Sequence, residues 1–248
     1  MHKFIFMTRL SVNVNKIATL RNSRGGAIPN LLKVTEDIVA FGADGITVHP
    51  RPDERHITYK DVVDISKMLK KKFPKIEFNI EGYPSKKFLS LIDIVKPDQI
   101  TLVPDLPGVL TSDTGWDVKN KVSFIQRIVK KIKSDKSRIC LFINPQPNII
   151  EYVMKTGVDS VELFTGDYAK KFKSSKEKVI KKYIETANIA FQNNIGINAG
   201  HDLNLENLFY FKKNIKYLDE VSIGHAIISD SLYYGLENTI QLYKRNLL

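Results

Sequence analysis

Four of the five histidines, His49, His56, His201 and His225, fall at or shortly after the ends of short apolar runs; His2 is the exception. Histidine titrates near neutrality, so such a group is a candidate acid–base set. Five of the eight arginines, Arg9, Arg21, Arg24, Arg51 and Arg55, lie in the first 55 residues. A guanidinium suits bidentate recognition of phosphate or carboxylate, and Arg24 and Arg51 are the stronger candidates. In Ile76-Glu77-Phe78-Asn79-Ile80-Glu81 the polar residues alternate with apolar ones. An extended chain would turn Glu77, Asn79 and Glu81 to one face. Glu162 lies in a further apolar run, and a buried carboxylate is costly unless something uses it. Gly200-His201-Asp202 and Gly224-His225-Ala226 each precede a helical pattern. Glycine permits close backbone approach, and N–H groups at a helix start favour an anion. The acid–base set is His49, a glutamate of the 76–81 run and His201, with Glu77 and Glu81 equally placed by spacing. Glu162 is either an electrostatic stabiliser or a structural anchor.

These residues need a scaffold that gathers them. Apolar runs occur at 10–15, 45–49, 76–81, 99–103, 138–143, 160–164, 195–199 and 220–223. Amphipathic helical patterns occur at 30–41, 58–73, 85–94, 120–134, 146–156, 175–193, 204–211 and 229–247. Strict alternation predicts a parallel sheet covered by helices. Eight repeats in 248 residues predict a closed (β/α)₈ TIM barrel, with residues 1–248 a single α/β domain and 1–7 an N-terminal extension. No Gly-x-Gly-x-x-Gly follows the first run, which argues against an open doubly wound sheet. Thr58 and Ser229 are expected N-caps, and Gly157 an expected helix end. In such a barrel, chemistry sits at the carboxyl ends of the strands, where the polar residues above collect.

Composition removes other classes. Cys140 is the only cysteine, so there is no intrachain disulfide and no cysteine cluster for zinc. No apolar stretch approaches the ~18 residues of a membrane helix, and the expected compartment is the cytoplasm. The net charge is +11, but 30 of the 38 basic residues are lysines spread along amphipathic patterns. They read as solvated helix faces rather than a nucleic-acid surface. No metal motif and no strand lysine for an imine are present. Other phosphosugar lyases or isomerases on this fold, or a non-catalytic anion binder, remain alternatives at this level.

Five segments carry a specific likeness: 13–22 (NVNKIATLRN), 42–49 (GADGITVH), 53–57 (DERHI), 198–201 (NAGH) and 223–227 (IGHAI). Together they resemble the pyridoxine 5′-phosphate synthase family, in the family's order and across nearly the whole chain. The resemblance implies a (β/α)₈ barrel that assembles as a homo-octamer built from dimers. It implies condensation of 1-deoxy-D-xylulose 5-phosphate with 3-amino-2-oxopropyl phosphate. The products would be pyridoxine 5′-phosphate, inorganic phosphate and water, with no metal or organic cofactor. By the same resemblance His49 and Glu77 are proton acceptors, His201 the proton donor and Glu162 a transition-state stabiliser. Asn13, Arg24, Asp202, Gly224 and His225 would hold the amino-ketone phosphate. Arg51, His56 and Thr111 would hold the deoxyxylulose phosphate. Asn15 and Lys16 stand where many members have Asp-His, at a position that touches this substrate. Asp202 stands where many members have Gly.

Overall fold

Apolar residues recur at every second strand position, and that period decides which face of the sheet meets the helices. The computed structural model describes residues 7–105 and 112–248. Its strands are β1 (Arg9–Asn13), β2 (Gly45–Val48), β3 (Glu77–Gly82), β4 (Gln99–Leu102), β5 (Arg138–Ile143), β6 (Ser160–Phe164), β7 (Gly196–Gly200) and β8 (Glu220–Ile223). All pair in parallel with their sequence neighbours, and β8 pairs back onto β1. The result is the closed (β/α)₈ barrel expected from the alternation. Residues 1–6 of the expected extension lie outside the described residues.

The helices are α1 (Asn15–Asn22), α2 (Leu31–Ala40), α3 (Tyr59–Lys72), α4 (Lys86–Val95), α5 (Val118–Ile132), α6 (Ile150–Thr156), α7 (Gly166–Gln192), α8 (Leu208–Asn214), α9 (His225–Tyr234) and α10 (Leu236–Asn246). Local signals set several ends. The Thr58 hydroxyl accepts from Asp61 N at 3.1 Å, and the Asp61 carboxylate accepts from Thr58 N at 2.9 Å, a reciprocal cap on α3. Gly157 ends α6 with φ 79°. Three expectations need correction. Ser229 is no N-cap, because α9 already begins at His225. The expected 229–247 helix is two helices, since Gly235 has φ 74°, outside the right-handed helical region. Ser175 does not start a helix; it is a break (φ −159°, ψ 44°) within α7, whose first piece begins at Gly166.

The core lies outside the strands rather than inside the barrel. Leu10, Val12, Ile46, Val48, Phe78, Ile80, Ile100, Leu102, Leu141, Val161, Ile197 and Val221 join one buried cluster with the helix faces. The alternate residues point inward, as bonds between non-adjacent strands show. Gln99 of β4 donates to Glu220 of β8 at 3.0 Å, and Asn198 of β7 donates to Gln99 at 3.0 Å. Higher up, Thr101 donates to Asn79 at 3.0 Å and Asn79 to Thr47 at 3.3 Å. Cys140 is fully buried among these inward groups and lies 3.9 Å from the Asn198 amide.

The amino-terminal end of the barrel is closed by charge. Glu77 accepts from Arg9 at 2.8 Å and from Arg138 at 3.0 Å. Glu220, 1% exposed, lies 3.3 Å from Arg9. Burial, then the charge of Glu77, push Glu220 up to about 8, while the hydrogen bond with Glu220 and then the charges of Arg138 and Arg9 outweigh burial and hold Glu77 below its ordinary value. A carboxyl whose folded pKa exceeds its unfolded value stabilises least when ionised. The Glu220 contribution is therefore full below about 4.5 and lost as pH rises toward about 8. Glu220→Gln is expected to make the decline of unfolding free energy across that window shallower, as urea denaturation at stepped pH would show.

Candidate active site

The carboxyl ends of the strands converge on one mouth, and its geometry starts with two asparagines after β1. Asn13 Oδ1 accepts from Asn15 N at 3.0 Å, and Asn15 Oδ1 accepts from His49 N at 3.0 Å. The β1 turn thereby fixes the backbone at the end of β2. His49 Nδ1 lies 3.5 Å from Glu81 Oε2, and Glu81 Oε1 accepts from the Ser222 hydroxyl at 3.3 Å. Strands β2, β3 and β8 thus contribute to one buried cluster.

Electrostatics give these groups distinct states. Burial, with the charge of Arg51 and the neighbouring His56, lowers His49 to about 3, so its imidazole is neutral. Burial raises Glu81 to about 7, so it exchanges a proton near neutrality. Glu162, on β6, is raised well above the usual carboxylate range by burial and by Glu81 and Glu220. Gly200 makes room for it: a β-carbon there would lie 2.1 Å from Glu162 Oε1.

Anion-binding elements ring this cluster. Arg51 is buried and bonded to Asp105 at 3.0 Å, and Ser112 also donates to Asp105. His56 Nδ1 accepts from Ile57 N at 2.9 Å, which leaves the ring proton on Nε2. Burial, then Arg51 and Lys16, lower His56 to about 4. Lys16 and Arg24 are exposed, at the start and just beyond the end of α1. Gly224 packs on Asn13, where a β-carbon would meet the Asn13 backbone oxygen at 3.0 Å. It leads directly into α9, and His225 is that helix's first residue, so the free N–H groups there face the mouth's rim. Thr111 lies outside the described residues.

Two sequence candidates are employed elsewhere. Arg21 is spent on Asp61 at 2.7 and 2.8 Å, where it supports the α3 cap. Glu77 is not at the mouth. It begins β3 whereas Glu81 nearly ends it, four residues apart, or roughly 13 Å at ordinary strand rise. Its carboxylate is held by Arg9 and Arg138 at the other end of the barrel. Of the two strand-3 glutamates, Glu81 is the one that lies beside His49.

Sequence reasoning missed several participants. Asp105 and Ser112 hold Arg51, and Ser222 holds Glu81. Ser222 sits two residues before Gly224, the same-face spacing that could have found it. Val103, Phe142 and Phe164 form a separate apolar cluster on the β4–β6 side. The mouth therefore has a polar half and an aromatic half, and Phe164 meets the His201 ring edge-on at 5.1 Å between centroids. Among the described residues no three His, Cys, Asp or Glu side chains are grouped to hold a metal ion.

Comparison with known proteins decides the family. The model of the pyridoxal phosphate biosynthesis protein PdxJ family matches residues 10–248. The chain belongs to this family. Among PdxJ relatives, pyridoxine 5′-phosphate synthase of Cytophaga hutchinsonii is 56% identical over 97% of this chain and 99% of its own. That of Bacteroides thetaiotaomicron is 53% identical over 96% and 98%. The fold extends further than the PdxJ family. A solved Aquifex aeolicus protein is 16% identical with TM-score 0.67, covering 98% of this chain and 94% of its own. Phosphoribosyl anthranilate isomerase of Thermotoga maritima is 14% identical with TM-score 0.59, covering 97% and 98%.

The two strand-3 glutamates make opposite predictions. Glu81→Gln is expected to lower kcat about 10²-fold or more with little change in urea midpoint. Glu77→Gln is expected to cost about 2 kcal/mol of stability, since it leaves two partly buried arginines short of a partner, and to change kcat only a few-fold.

Proposed function

We propose that this chain is a pyridoxine 5′-phosphate synthase that condenses 1-deoxy-D-xylulose 5-phosphate with 3-amino-2-oxopropyl phosphate. Pyridoxine 5′-phosphate, inorganic phosphate and water leave. The observation that carries this reading is the convergence of His49, Glu81, Glu162 and His201 on one mouth, in a chain whose relatives bear that name.

The roles follow from the states of the groups. The imine forms between the two substrates, consistent with a mouth built from His and Glu rather than a buried lysine. Glu81, titrating at about 7, takes protons and returns them within one cycle. Neutral His49 is the second acceptor, kept unprotonated by burial and Arg51. His201 donates to leaving oxygens. Glu162, protonated by burial, can donate a hydrogen bond to oxygen that gains negative charge. Arg51, His56, Lys16 and Thr111 take the deoxyxylulose phosphate, with Asn15 behind them fixing His49. Gly224, His225, Asn13 and Arg24 take the amino-ketone phosphate at the α9 start. The aromatic half accommodates the flat ring as it closes. The assembly is a homo-octamer built from dimers, a reading supported by Leu232 and Tyr233 on α9, 81% and 84% exposed; sedimentation velocity checks it. Among the described residues no helix is long and apolar enough to cross a membrane, and the proposed location is the cytoplasm.

Purified protein given both substrates, with chelator present, is expected to yield a product with pyridine absorbance and free phosphate. Product from one substrate alone would favour an isomerase or lyase instead, and no product from folded protein would sink the reading. A base works ionised, so kcat is expected to rise with pH through an apparent pKa at about 7 set by Glu81. That limb should vanish in Glu81→Gln.

A further inference from the structure

The turn after β7 carries two non-glycine residues with positive φ, His201 at 82° and Asp202 at 59°. Such backbone is unfavourable and persists where its surroundings hold it. Here the Thr165 hydroxyl donates to the Gly200 carbonyl at 2.7 Å and also to that of His201. The Asn207 amide donates to the Asp202 carbonyl at 3.2 Å. Held this way, Asp202 Oδ2 lies 3.0 Å from His201 Nδ1, while Phe164 closes on the ring from the barrel side.

We propose that Asp202 is a positioning residue for His201. Its carboxylate faces Nδ1 at the 3.0 Å distance of an ion pair and holds the ring so that Nε2 presents the proton delivered to substrate. The proposal rests on His201 being the proton donor of the reading above. A carboxylate beside a phosphate turn would repel the anion, and engagement with His201 turns it away.

The surrounding groups are consistent. His201 holds Asp202 below the usual carboxylate range, and Lys170 of α7 and His225 of α9 add to this. Glu162, beneath Gly200, is raised well above the usual carboxylate range by burial. The ionised carboxylate within 3.0 Å of Nδ1 is that of Asp202.

The test uses Asp202→Asn and Asp202→Gly, both of which tolerate positive φ. His201 is followed by imidazole NMR in the full-length protein, its signals assigned by their loss in His201→Gln. Both variants are expected to change the ¹⁵N shifts of the His201 ring nitrogens and to lower kcat roughly several-fold, with KM for the amino-ketone phosphate unchanged. Unmoved ring shifts with a raised KM would overturn the proposal and make Asp202 a substrate ligand. Changed ring shifts in a protein that makes no pyridine product would uphold the positioning role and refute the synthase reading instead.

Discussion

Everything at the mouth depends on one constraint: carboxylates held inside a barrel must be neutralised, paired or hydrogen-bonded. The fold meets it differently at each depth. At the floor, Glu77 is ionised between Arg9 and Arg138, and Glu220 keeps its proton beside it. In the middle, neutral groups such as Thr47, Asn79 and Thr101 bond one another across the strands. At the top, Glu81 has one hydroxyl and one neutral imidazole for company. It alone among these is poised at about 7. The same residue type thus sits ionised in a clamp at one end and is raised to about 7 at the other.

Much of this was legible. Alternation of strand and helix signals predicted eight units, and the observed strands fall within a residue or two of the apolar runs. The period of two also said correctly that Glu77 and Glu81 share the inner face. It could not say which one reaches the mouth, because periodicity reports side and not depth. Depth follows from the rule that barrel chemistry lies at carboxyl ends, which favours Glu81. The family likeness matched Glu77, which the structure places between Arg9 and Arg138 at the amino-terminal end of the barrel.

The rest was hidden for physical reasons. α1 buries only Ile17 and Ala18, too little apolar content to show a helical period. The first piece of α7 begins at Gly166, in a Thr165-Gly166 pair that reads as a turn, yet Tyr168 is buried there and its hydroxyl donates to the Asn207 carbonyl at 2.7 Å. Asp105 and Ser222 act through partners remote in sequence, Arg51 and Glu81, and such pairs become visible only once the ring closes.

Because most of the apolar mass sits between strands and helices, the fold leans on that annulus more than on the mouth of the barrel. Inward positions at the mouth can therefore change chemistry more freely than the charged clamp at the floor. That separation suits a scaffold found again in phosphoribosyl anthranilate isomerase at 14% identity: the annulus preserves the shape while the lumen is rewritten for each new reaction.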